Sequence, residues 1–162
     1  MFYNDFLIYF CEYSYKMISI KNINEKDIDL CYELDSSTIS FWTKKQWASE
    51  FKKEGIKVVG LFLSSLVIGI CVFHVVLDEA QINFFVVNQK YRKKGYGTYL
   101  MNYLIKQCEI LNINKLLLEV SLSNTTAEKF YSRFDFYTVG IRRNYYKDDS
   151  DALLKEKNLT TK

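Results

Sequence analysis

Apolar and polar residues change their spacing several times along this chain, and each change marks an element. Met17–Lys21 alternates like a short strand. Asn24 caps a helix running to about Ser37, with Ile28, Cys31 and Leu34 recurring every third residue on one face. Thr43 caps a second helix with Trp47, Ala48 and Phe51 on its buried side and Gly55 as its stop. The loop between them ends in I-S-F-W, and Phe41 and Trp42 admit two readings: pins that fasten the loop to the core, or one wall of a substrate groove. Lys57–Leu63, Val67–Val76 and Ala80–Val87 then read as strands, joined by Ser64-Ser65 and by Leu77-Asp78-Glu79. Connections this short predict an antiparallel meander. Gly60 and Gly69 inside it point to bulges or close backbone approach.

The second half has a different rhythm. Leu100, Tyr103, Leu104, Cys108 and Leu111 follow helical spacing to about Asn112, and L-L-L-E-V from Leu116 to Val120 is short and nearly continuous, as in a strand buried on both faces. Strand, turn, helix and strand in that order make a right-handed crossover, so Ala80–Val87 and Lys115–Leu122 are expected to lie parallel. Asn124 or Thr125 caps the next helix, with Glu128 at capping-box spacing from Thr125 and Ala127, Phe130, Tyr131 and Phe134 forming its face. Phe136–Arg143 and Ala152–Leu154 read as two last strands across a polar turn.

Composition narrows the possibilities. At 162 residues and 49% hydrophobic, the chain is a single domain with apolar surface enough for a core. A net charge of +3 is far below that of a dedicated nucleic-acid binder, and no run approaches the ~20 apolar residues of a membrane span. Neither nucleic acid nor membrane is an expected partner. Cys11, Cys31, Cys71 and Cys108 share no CxxC spacing and fall in different elements, which argues against a disulfide or metal framework and for a reducing, cytoplasmic setting. Residues 1–16 are aromatic but carry Asn4, Asp5 and Glu12 and lack a basic leader, so they read as an N-terminal extension or an upstream mis-start rather than a secretion signal. The domain itself is expected over residues 17–156, with 157–162 as a tail; oligomeric state has no signature in the sequence.

The strongest local signal runs from Val86 to Leu100. A strand ends, Arg92, Lys93 and Lys94 follow, then Gly95 and Gly97 one residue apart, then a helix begins. A helix N-terminus delivered by a glycine turn offers unpaired N–H groups and the positive end of a dipole to an anion such as phosphate. Alone, the cations are equally a solvated turn. Glu119, inside an apolar strand, is either ion-paired or functional, because an unpaired buried carboxylate is costly. Tyr131 is core filler or a proton donor, Asn124 is most simply a helix cap, and His74, the one histidine, reads as structural.

Taken in order, these residues carry a resemblance. R-K-K-G-Y-G (Arg92–Gly97) matches the [Q/R]-x-x-G-x-[G/A] turn of the GCN5-related N-acetyltransferase (GNAT) superfamily. V-V-L-D-E-A (Val75–Ala80), L-E-V-x-x-S-N (Leu118–Asn124), F-Y (Phe130–Tyr131), I-R-R-N-Y-Y (Ile141–Tyr146) and D-A-L (Asp151–Leu153) are similar to the bacterial ribosomal-protein-alanine N-acetyltransferases within it. The resemblance covers Met17–Leu154. It implies an α/β (α+β) GNAT fold: a mixed, mostly antiparallel sheet of about seven strands with a central splayed parallel pair, and about four helices.

It also implies roles. Acetyl-CoA pyrophosphate would sit on the segment Arg92, Lys93, Lys94, Gly95, Tyr96, Gly97 and Thr98. The pantetheine arm would pair with Phe85, Val86 and Val87 beside a bulge, and Asn124 would touch the cofactor. Glu119 matches the general base and Tyr131 the general acid of direct acetyl transfer from acetyl-CoA to a protein N-terminus, by resemblance that of a small-subunit ribosomal protein. No metal and no covalent nucleophile are implied, and Cys108 has no histidine near it in sequence. The alternatives are a GNAT enzyme acting on lysine or a free small amine, and an inactive CoA-binding scaffold. The chain departs from the pattern at Phe84, Gln89 and Ser121, where Asn, Pro and Arg are frequent, and at Asp135, where Gly is usual. Asp tolerates a left-handed helix end better than most residues, so little chemistry is expected to change there.

Overall fold

The computed structural model describes residues 17–159, and the expectations for residues 1–16 fall outside the described residues. In chain order the elements are β1 (Ile18–Asn22), α1 (Ile28–Ser36), α2 (Lys44–Phe51), β2 (Ile56–Leu63), β3 (Leu66–Val76), β4 (Glu79–Val87), α3 (Tyr96–Ile110), β5 (Lys115–Ser121), α4 (Thr125–Ser132), β6 (Tyr137–Arg142) and β7 (Ala152–Asn158). The strands form one seven-stranded sheet in the order β1-β2-β3-β4-β5-β7-β6. Every pairing is antiparallel except β4 with β5, as the crossover predicts. No helix among the described residues is long and apolar enough to cross a membrane.

Two apolar cores cover the two faces of the sheet. Cys31 and Leu34 of α1 and Trp47 of α2 pack with Val58, Ile70, Val72, Phe84 and Val86 on one face. Leu100, Met101, Leu104 and Cys108 of α3 and Tyr131 of α4 pack with Val59, Leu61, Phe73, Ile82, Leu116 and Leu118 on the other. A bulge in β4 sets which residues go where. Val72 pairs with Phe84 but Phe73 pairs with Ile82, so Asn83 is the extra residue. Before the bulge Ala80 and Ile82 face α3 and α4; after it Phe84 and Val86 face α1 and α2, and Phe85 turns to the α3–α4 side. The Asn83 amide donates to Glu50 Oε1 of α2 at 2.8 Å, fixing the bulge to the helix layer.

Several details depart from the periodicity. A turn of 3-10 helix at Glu25–Asp27 precedes α1, because Asn24 and Asp27 close a capping box before α-helical geometry begins. Leu111 lies past the end of α3 and is exposed. β5 is buried on one face only: Leu116, Leu118 and Val120 point into the α3–α4 core while Leu117, Glu119 and Ser121 are half-buried. Thr125 does not cap α4; Asn124 does, accepting from Ala127 N at 3.1 Å, and Glu128 instead pairs with Lys155 at 3.0 Å. That pair also explains why β7 outruns its apolar stretch. Lys155 is buried, and the strand continues past the end expected at Leu154 through Lys157 and Asn158, which pair with Leu116 and Lys115. Asp135 is left-handed at φ 62°, and His74 Nε2 lies 2.8 Å from Glu54 O in a structural contact.

Candidate active site

The sheet opens at its centre. Pairing between β4 and β5 runs from Glu79 opposite Lys115 to Ile82 opposite Leu118 and stops there, at the bulge. Beyond it Phe85, Val86 and Val87 keep their partners Cys71, Ile70 and Gly69 on β3, while β5 continues alongside β7. The two parallel strands therefore diverge, and the β5-side edge of Phe84–Val87 is left without a strand. An extended ligand can pair with such an edge through main-chain hydrogen bonds.

At the end of β4 the chain turns sharply into α3. Asn88 Oδ1 accepts from Lys90 N at 3.0 Å, and Arg92 Nε donates to Val87 O at 2.8 Å, tying the turn to the strand it leaves. Lys93 and Gly95 adopt φ of 58° and 85°. Gly95 is the N-cap of α3 and brings no side-chain acceptor, nor is there an acid in the first turn. The N–H groups of Tyr96, Gly97 and Thr98 thus begin the helix without capping side chains, at the positive end of a 15-residue dipole. Arg92, Lys93, Lys94, Gly95 and Thr98 are exposed around them, with the Lys94 ammonium 5.7 Å from the Tyr91 ring centre. A Cβ on Gly97 would stand 3.4 Å from Phe130, so α3 and α4 meet closely here. The turn and the open edge of β4 follow one another along the chain and offer backbone donors that suit an anion with an extended tail.

Glu119 and Tyr131 stand on opposite faces of the divided sheet. Glu119 is on the face of β5 turned away from α3 and α4, its carboxylate 3.0 Å from the Arg142 guanidinium and only 17% exposed. Interaction with that carboxylate raises the Tyr145 phenol above its ordinary range, and burial together with the charge of Glu119 pushes Tyr146 up to about 12. An open depression of about 200 Å³ lies alongside, lined by Gln81, Leu117, Glu119, Val139, Arg142 and Leu154 among others. Tyr131 belongs to the α3–α4 core, with its ring centre 6.3 Å from Phe85 and 5.7 Å from Phe136. Burial, with smaller contributions from Cys71 and Tyr146, pushes its phenol pKa well up.

On the Glu119 face, the α1–α2 loop leans on β4. Trp42 stacks on Phe84 with centroids 5.2 Å apart, and Phe41, half exposed, lies 6.1 Å from the same ring. Trp42 pins the loop to the core, and Phe41 projects half exposed beside it. Sequence reasoning overlooked Asp35, Arg142 and Tyr145. Arg142 and Tyr145 lie in the quoted I-R-R-N-Y-Y, but their meeting with Glu119 depends on a strand order with no local signature. Asp35 did have a signal: an acid in the last turn of a helix, the wrong end of the dipole. Among the described residues no group of three or more His, Cys, Asp and Glu gathers as metal ligands.

Residues 23–136 match the model of the acetyltransferase (GNAT) family. The chain is 31% identical over 139 residues to a putative [ribosomal protein bS18]-alanine N-acetyltransferase of Bacillus subtilis, covering 84% of this chain and 92% of that protein. Its structure superposes on the ribosomal-protein-S18-alanine N-acetyltransferase of Escherichia coli with a TM-score of 0.84 at 29% identity, over 90% of this chain and 96% of the other. Arabidopsis thaliana NAA60 in complex with acetyl-CoA shares the fold, with a TM-score of 0.77 at 17% identity over 88% and 98% of the two chains. GNAT acetyltransferases use acetyl-CoA, and this chain, matched over most of its length by that family's model, belongs to the acetyltransferase (GNAT) family.

Proposed function

We propose that this enzyme transfers acetyl from acetyl-CoA to the α-amine of a protein N-terminus, that of a small-subunit ribosomal protein beginning with alanine. The observation that carries the reading is a carboxylate and a phenol on opposite faces of the sheet near its divided strands, Glu119 on the α1–α2 face and Tyr131 on the α3–α4 face. An amine arriving from the first face loses its proton toward Glu119. A thiolate departing on the second meets the Tyr131 phenol.

The open edge of Phe85, Val86 and Val87 would hold the pantetheine arm. Arg92, Lys93, Lys94, Gly95, Tyr96, Gly97 and Thr98 would hold the pyrophosphate, with Asn124 alongside, its Nδ2 left to donate while Oδ1 caps α4. When bound, acetyl-CoA supplies an acetyl thioester. A backbone N–H on the β4 edge can donate to its carbonyl, where charge gathers during attack. Glu119 accepts the amine proton, directly or through one water. Tyr131, kept protonated by its burial, donates to the developing thiolate.

The acceptor class follows from proton affinity. A protein α-amine has a pKa of ~7.7–8.0 against ~10.4 for lysine. At ~1.36 kcal/mol per unit, a difference of roughly 2.5 units spares about 3.4 kcal/mol of deprotonation work. A carboxylate base suits the first amine far better than the second. The resemblance to bS18-alanine acetyltransferases of two bacteria adds the alanine-first ribosomal acceptor.

The test is turnover of acetyl-CoA on a short alanine-first peptide, compared with the same peptide blocked at its N-terminus and carrying a lysine. Acetylation of the free peptide alone is expected. Equal acetylation of both overturns the α-amine assignment, and binding of acetyl-CoA with no turnover on any amine overturns the enzyme reading.

A further inference from the structure

Asp35 is the most thoroughly buried carboxylate among the described residues, with 0% exposure, and no salt bridge reaches it there. It occupies the last turn of α1, where the dipole disfavours an anion and no basic residue compensates. Its partners are neutral donors from the segment that follows. Phe41 N donates to Oδ1 at 2.8 Å, Trp42 N to Oδ2 at 2.8 Å, and the Trp47 indole to Oδ2 at 3.0 Å. The Asp35 carbonyl also accepts from Thr38, Ile39 and Ser40. Residues 37–42 are therefore folded back over one side chain.

Filling space does not require this. An apolar residue would pack beneath the loop at lower desolvation cost, but it would not hold two successive backbone N–H groups in one orientation. The orientation has a visible result. It lays Trp42 on Phe84, the first residue beyond the bulge, and projects Phe41 beside it on the same face of the sheet as Glu119.

We propose that Asp35 is a positioning residue for the acceptor: through the N–H groups of Phe41 and Trp42 it fixes an aromatic wall on the amine side of the gap. This rests on the α-amine acceptor reading given above. The wall sets how the acceptor's first residues lie as the amine approaches Glu119. It has no part in holding acetyl-CoA, which is proposed to lie on β4, the glycine turn and Asn124.

The experiment measures both Michaelis constants for the full chain and two variants on the alanine-first peptide. Asp35→Asn keeps the volume but turns an amide N–H toward a backbone donor; losing charge-assisted hydrogen bonds of this kind is expected to raise peptide KM about tenfold or more. Phe41→Ala removes only a half-exposed ring and is expected to do the same. The double variant is expected to be no worse than the weaker single one, since both remove one wall. Acetyl-CoA KM should stay within about twofold throughout. An unmoved peptide KM in folded Asp35→Asn overturns the proposal, as does an equal rise in both KM values, the mark of a merely structural residue. Should Asp35→Asn not fold, Phe41→Ala and amide exchange at Phe41 and Trp42 decide: an unmoved peptide KM, or exchange as fast as in a free loop, overturns it. Failure of the unaltered enzyme to acetylate the peptide overturns the acceptor reading and this inference with it; turnover with unmoved variants overturns the inference alone.

Discussion

The Arg142 guanidinium lies 3.0 Å from the Glu119 carboxylate, although β7 runs between their two strands. The register makes the reach possible. Arg142 stands opposite Ala152, which stands opposite Ser121, so the long side chain crosses a small residue to meet Glu119 two positions along β5. Arg142 is about half exposed, and such pairs contribute roughly 0–1 kcal/mol. A partner held this weakly can give way to an incoming ammonium group.

Glu119→Gln is expected to lower kcat about 100-fold or more, the usual weight of a general base, with acetyl-CoA KM within about twofold. The same variant carries a second readout. Tyr145 is raised chiefly by its interaction with Glu119, and Tyr146, near 12, by burial first and that charge second. Removing the anion makes either phenolate easier to form. Tyr145 should therefore titrate at lower pH, toward its ordinary 10.0, and Tyr146 should move less. Carbon NMR of labelled tyrosine rings across alkaline pH checks both.

Tyr131→Phe should lower kcat about 100-fold while leaving acetyl-CoA KM nearly unchanged. The ring contacts with Phe85, Phe130 and Phe136 survive the substitution, so thermal stability should hold. Activity equal to the unaltered enzyme would remove Tyr131 from the proton path.

Stability should fall on the alkaline side. Burial raises Cys31 from 9.0 to about 12 and Cys108 from 9.0 to about 11. Below pH 9 each thiol is protonated in both folded and unfolded chains and costs nothing. Above it the unfolded chain ionises first, binds fewer protons, and is favoured by up to ~1.4 kcal/mol per pH unit for each such thiol. Denaturation midpoints should thus be level to about pH 9 and decline from there toward pH 11–12. Cys108→Ala should flatten part of the decline.

The two glycines of the turn should behave differently. Gly95, at φ 85°, has open space around its missing Cβ, so Gly95→Ala should cost about 1–2 kcal/mol in chemical denaturation from backbone strain alone. Gly97 sits in the first turn of α3, where a Cβ meets Phe130 at an ordinary 3.4 Å. Gly97→Ala should leave stability within about 0.5 kcal/mol and raise acetyl-CoA KM instead.

Much of this arrangement was legible because its signals are local. Alternation gave β2, β3 and β4, turn length gave their meander, and the crossover gave the parallel pair with β5. The glycine turn at Arg92–Thr98 stood out by its own spacing, whereas roles for Glu119 and Tyr131 came only with the resemblance to the acetyltransferase family. What remained hidden depends on distance in sequence. Glu119 meets Arg142 and Tyr145 only because β7 inserts between β5 and β6. Lys155 falls just past the strand expected over Ala152–Leu154 until Glu128 of α4 is found 3.0 Å away. Asp35 looks like one more loop-flanking acid until three donors converge on it.

Asn83 bears on how the chain can vary in length. Because it is one residue more than β3 needs, every side chain from Phe84 to Val87 has its present facing only while Asn83 is there. Removing that single residue would restore regular pairing and rotate the end of β4 by half a turn. Phe84 would be driven toward Tyr131, and Phe85 into the layer of Trp42 and Trp47. Substitution at this point alters a hydrogen bond to Glu50, whereas a one-residue deletion exchanges the inside of one core for the inside of the other. The strand can therefore drift in composition across this stretch but is locked in count.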